Sequence, residues 1–164
     1  MRALIFLVSL LAVTLVAAPA VAQKQPLGIF FSWGAFAQMS PRKCYAIAQA
    51  HNLPDRLKGQ AYASVGTWPG RRVRSQLHFR LSRAKRAGSA VILRIDGRAF
   101  QLVGGGTNAW APNARADAAL VAAMRTGLEM SVETRSETGG RFRDRYHLRG
   151  AASAIDAAAI ACVR

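Results

Sequence analysis

Between Gln76 and Ser82 the chain alternates strictly: Leu77, Phe79 and Leu81 point one way, Gln76, His78, Arg80 and Ser82 the other. A period of two marks a strand with one buried face. Apolar runs of strand length recur on both sides of it. Gly28 to Phe36 (GIFFSWGAF) reads as a first strand, ended by a turn at Ser40 and Pro41. Lys43 to Ala50 reads as the next and contains Cys44; His51 to Gly59, with Pro54, Asp55 and Gly59, reads as a loop. Tyr62, Val65 and Trp68 mark a strand stopped by Pro69-Gly70, a strong turn signal.

Two hairpins follow. In SAVILRIDGRAFQLV, apolar runs flank Asp96-Gly97, a pair suited to a type I′ turn because both positions take positive φ. Gly104 to Gly106 then read as a loop. In the second hairpin Leu128, Met130 and Val132 alternate with Glu129, Ser131 and Glu133; Phe142, Tyr146 and Leu148 alternate with Arg143, Arg145 and His147. A five-residue turn over 136–140 sets Glu133 opposite Arg143 and Met130 opposite Tyr146, so ion pairs fall outside and apolar pairs inside. Asp144 breaks the apolar face, as an edge-strand guard or as the partner of an arginine.

Helical periodicity appears twice. Asn113 to Thr126 is alanine-rich, with Leu120, Val121 and Met124 on one side and Gly127 at the expected C′ position. At the end of the chain Ile155, Ala158, Ala159 and Cys162 recur on one helical face. About seven strands against two helices, joined mostly by short turns, predict a mostly β fold: an antiparallel β-sandwich or flattened barrel with two short α-helices.

The first residues belong to a different pattern. Arg2 precedes an uncharged apolar run from Ala3 to Val16, and AAPAVA then places small residues at Ala20 and Ala22. This is the three-part layout of a secretory signal peptide, cut after Ala22. The other reading of the same run is an uncleaved membrane anchor. Residues 23–164 then form a single β-rich domain. Export changes the reading of the two cysteines, Cys44 and Cys162: in an oxidising compartment they pair, whereas in a reducing one they would be buried thiols.

Charge comes next. Lys and Arg number 23 against 8 Asp and Glu, a formal net charge of +15, and the leader carries away only Arg2. Such a balance draws a protein to anionic surfaces, or serves solubility alone. After export the expected partner is an anionic envelope component (lipopolysaccharide, phospholipid or glycan) or another envelope protein, and not nucleic acid. Arg71, Arg72 and Arg74 cluster at a turn beside Trp68, a combination that suits anionic head groups through bidentate hydrogen bonds and stacking; a solvated turn is the plainer reading.

Several segments, in order, resemble the invasion-associated locus B family of alphaproteobacterial exported proteins: Trp33 with Cys44, the CYAIA string, SVGTWPGRRVRSQLHFRL, RIDGRAFQL, DAALVAAMRTG and LRGAASAI. The resemblance spans roughly residues 28 to 162 and implies a secreted or envelope-associated β-rich domain. Family members carry further cysteines in mid-domain that this chain lacks. Founding members are linked to host-cell invasion.

Catalytic patterns are sparse. There is no G-x-S-x-G elbow, and His51, His78 and His147 lie far apart in sequence without metal-ligand spacing, so they read as isolated surface histidines; a three-histidine zinc site assembled in space is the other reading. Gly104-Gly105-Gly106 lacks the context of a nucleotide site. Asp96 reads as a turn residue, and Asp144 and Asp156 have nothing to single them out as acids. The expectation is therefore a non-enzymatic envelope protein with no metal or cofactor. The alternatives are a periplasmic hydrolase acting on cell-wall or glycan substrates, and a module that offers an edge strand to a partner.

Overall fold

The computed structural model describes residues 24–163. The signal peptide expected over residues 1–22 and its cleavage point lie outside the described residues. The chain forms ten strands and two α-helices: β1 (Lys24–Phe30), β2 (Trp33–Met39), β3 (Arg42–Gln49), β4 (Tyr62–Trp68), β5 (Val73–Arg80), β6 (Val91–Ile95), β7 (Arg98–Gly105), β8 (Asn108–Trp110), α1 (Ala114–Thr126), β9 (Glu129–Arg135), β10 (Arg141–His147) and α2 (Ala151–Val163). The strands pair antiparallel in the order β1-β2-β3-β4-β5-β8-β7-β6-β9-β10, and the sheet does not close into a barrel.

β7 makes the sheet two-layered. Its Arg98–Leu102 half pairs with β6, while Val103–Gly105 pairs with β8 and so belongs to the other layer. The two inner faces enclose the core, and the rings of Phe79 on β5 and Tyr146 on β10 meet with centroids 5.8 Å apart. The alternation read around Leu77 holds: Leu77, Phe79 and Leu81 are buried. α2 lies against β1 to β4, and α1 against β5. The buried positions of β2 and β3 include Ala35, Ala37, Ala46 and Ala48, small enough for a helix to come close. Cys162 of α2 is bonded to Cys44 of β3, as their pairing after export predicts.

Asp96-Gly97 turns with both residues at positive φ (45° and 86°), as a type I′ hairpin requires. The second hairpin also has the expected register: Glu133 faces Arg143 and Met130 faces Tyr146. Asn113 caps α1, its side chain accepting from the Ala116 N–H at 2.9 Å.

Four expectations need correcting. GIFFSWGAF is not one strand but the junction of β1 and β2, with a turn at Phe31-Ser32 where Phe31 takes φ 53°. Gly104 and Gly105 extend β7, and the short β8 follows. Gly104 suits that place because a Cβ there would press on the Asn108 carbonyl. Gly127 ends α1 at φ −78°, outside the left-handed region; it is small because Ile95 and Leu148 pack onto it. Leu128 is exposed, since the chain leaves α1 before the strand alternation begins at β9.

Gly150, which joins β10 to α2, has φ 91°, and a Cβ on it would be driven into the Phe30 carbonyl. Backbone strain and the displaced β1 end both oppose any side chain. Gly150→Ala is expected to lower the urea-unfolding free energy by about 2 kcal/mol. A loss below about 0.5 kcal/mol, the range of a neutral surface change, would contradict this close approach.

Candidate functional site

The outer face of β6, β9 and β10 follows from strand parity. Residues of β10 with buried even positions present Arg141, Arg143, Arg145 and His147 to solvent. β9 answers with Arg135, Glu133, Ser131 and Glu129 in register. Four of these arginines, Arg135, Arg141, Arg143 and Arg145, line a surface groove of about 750 Å³ together with Asn52 and Glu133. Glu133 lies 2.9 Å from the Arg143 Nε and 3.5 Å from the Arg94 Nε. Arg135 and Arg141 stand directly opposite each other, and among the described residues neither has a carboxylate partner. Like charges opposed across a strand pair destabilise it, so this end of the groove holds positive charge at a cost.

β10 is an edge strand, and its C-terminal half is covered. The Asn52 side chain donates to the Arg143 carbonyl and accepts from the Arg145 N–H, both at 2.8 Å. The His51 N–H donates to the Arg145 carbonyl at 3.0 Å, and Trp33 Nε1 donates to the His147 carbonyl at 2.9 Å. At the opposite edge, β1 contains Pro26 and an irregular step in its pairing between Pro26 and Gly28. Both features discourage the addition of a strand.

The cover over β10 creates a second constellation. His51 and His147 stack with ring centroids 3.8 Å apart and planes within 6°. Glu129 faces His147 in register, its Oε1 3.4 Å from the ring Nδ1. The reading of three isolated histidines is thus corrected for two of them: a loop after β3 brings His51 to β10. Partial burial pulls His51 below the usual imidazole value, the nearby His147 and Arg145 act the same way, and Glu129 opposes them. His78 is elsewhere, at 2.9 Å from the Asn108 side chain and between the rings of Tyr62 and Trp110.

The other candidates from the sequence are spread over the fold. Trp68 ends β4, and its half-buried ring lies over Gly66. Arg71 and Arg72 lie on the turn after it and Arg74 on β5, all three exposed. Among the described residues no cation–π contact joins them to Trp68. Asp96 caps the start of β9, accepting from the N–H groups of Glu129 and Leu128, which hold its carboxyl below the usual range. Asp156 pairs with Arg125 of α1.

Asp144 is neither an edge guard nor an arginine's partner. It is fully buried and accepts from the Ser82 N–H at 2.9 Å and the Ser82 Oγ at 2.6 Å. This serine–carboxylate pair lies in the buried part of the fold, between the β5 and β10 layers. Arg141, Arg143 and Arg145 stand in the sequence as an alternating row, but nothing in it places them beside Arg135 and Asn52 in one groove. The meeting of His51 with His147 has no sequence signal.

No family model matches the chain, and no curated protein matches it at a significant level. Among solved structures, one aligns over 79% of this chain and 92% of its own length, with a TM-score of 0.57 and 13% identity. An identity that low speaks for the fold alone. The chain shares its fold with invasion associated protein B from Bartonella henselae.

Proposed function

We propose that this is an exported, non-enzymatic envelope protein of the invasion-associated locus B type that holds an anionic partner in the groove of β6, β9 and β10. The observation that carries the reading is Arg135 opposite Arg141 without a carboxylate, beside Arg143 and Arg145. A phosphate or carboxylate seated between those two guanidiniums would remove their repulsion and accept bidentate hydrogen bonds. The partner chemistry is that of phosphorylated glycolipids, phospholipid head groups and acidic glycans. Export also supplies the oxidising compartment that Cys44–Cys162 needs. A hydrolase would need an accessible nucleophile and base, and the buried Ser82–Asp144 pair does not provide them.

The test is co-sedimentation with phosphatidylcholine vesicles, with and without phosphatidylglycerol, and with lipopolysaccharide. Binding is expected only to the anionic samples, and to weaken as salt rises. Arg135→Gln with Arg141→Gln should weaken it about tenfold or more, since each lost charged hydrogen bond is worth about 1.5–3 kcal/mol. Replacing Arg71, Arg72 and Arg74 together should weaken it less. The reverse ranking would move the site to the Trp68 turn, and equal binding to neutral vesicles would end the proposal.

A further inference from the structure

We infer that His51, His147 and Glu129 form a binding site for a divalent late transition-metal ion, Zn²⁺ or Cu²⁺. One ligand atom from each lies within 4.8 Å of the others. Zinc holds such atoms at about 2.0–2.2 Å, so the three side chains must converge by an ångström or so. All three are exposed, and rotation about their side-chain bonds supplies that movement.

The backbone beneath them is already fixed. Glu129 and His147 are register partners in the β9–β10 ladder. His51 is tied to β10 by its own N–H on the Arg145 carbonyl, and Asn52 clasps the same strand on both sides of its amide. Metal binding therefore needs little ordering of the chain. The rings of His51 and His147 are stacked nearly parallel, so binding turns one ring out of the stack to aim both in-plane lone pairs at the ion.

The donor set selects the ion. Two imidazoles and a carboxylate suit zinc and copper, whereas calcium and magnesium take oxygen ligands. Three protein ligands at the surface leave at least one position open to water or to an anionic group of a partner. The site needs none of the four groove guanidiniums, so it stands or falls separately from the groove.

The chain should be purified after export without a histidine tag and titrated calorimetrically with Zn²⁺. A single saturable site is expected, unaffected by excess Mg²⁺ or Ca²⁺. His51→Gln, His147→Gln and Glu129→Gln should each weaken it at least about tenfold, on the scale by which metal sites respond to lost support. His78→Gln, a control away from the cluster, should bind as the parent does. Circular dichroism checks that the variants are folded. Absence of saturable binding, or full binding in folded His51→Gln or His147→Gln protein, would overturn the assignment.

Discussion

Removing the disulfide with Cys44→Ala and Cys162→Ala together is expected to cost about 4 kcal/mol of unfolding free energy. The two cysteines are 118 residues apart, so the bond closes almost the whole described domain into one loop. The loop-entropy relation gives about 4.7 kcal/mol for a loop near 100 residues. The native side of the balance agrees. α2 has 13 residues, too few for a stable helix in isolation. Its buried face is Ala151, Ala154, Ile155, Ala158 and Cys162, and small side chains bring little apolar area against β2 and β3. The covalent tie therefore supplies a large share of what holds α2 in place. Reversible urea unfolding of the oxidised parent and the double variant measures the difference, and thermal unfolding should fall on the order of 10–15 °C. A loss under about 1 kcal/mol would mean that the reduced chain is already constrained without the bond.

The sequence carried most of the ladder on which this site is built. Alternation on both sides of SETGG gave the register of β9 and β10 to the residue, because a one-residue slip would have turned Tyr146 outward and Arg145 inward. Asp96-Gly97 gave the other hairpin for a local reason, two adjacent positive φ angles. Failures came where the deciding contact was not local. The Phe31-Ser32 turn uses no glycine or asparagine; Phe31 takes its positive φ with its ring under the Arg149 guanidinium, 3.9 Å from the centroid. β8 was hidden because Gly104 and Gly105 resemble a loop, although Gly104 is small for close contact with Asn108. The histidine cluster joins residues that no periodicity relates. Arg71, Arg72 and Arg74 were conspicuous as a run, whereas the groove arginines alternate with buried residues and so conceal how densely they gather in space.

Asp144→Ala is expected to lose about 3 kcal/mol at neutral pH, from two stranded donors and a small cavity. Strand parity forces this carboxylate inward, opposite Val132 and between Phe142 and Tyr146. There it takes both the N–H and the hydroxyl of Ser82, just past the end of β5, and so ties the β10 layer to the β5 layer. Burial raises its pKa, and it outweighs the hydrogen bonds from Ser82 and the weaker pull of Arg83. The sign of the pH effect follows. A carboxyl whose folded pKa exceeds its unfolded value, about 3.9, keeps its proton in the native state where the unfolded chain has released it. Its contribution is therefore most favourable below the unfolded value and declines as pH rises through the window up to the folded one. Asp144→Asn cannot titrate, so the parent should gain stability relative to it as pH falls through that window. A difference between parent and Asp144→Asn that stays flat with pH would show that burial leaves the folded pKa equal to the unfolded one, and a parent that instead loses stability relative to Asp144→Asn as pH falls would show that the carboxylate is held ionised in the fold. In that second case its two Ser82 bonds would be charge-assisted, worth about 1.5–3 kcal/mol each, and the loss on Asp144→Ala should exceed about 3 kcal/mol.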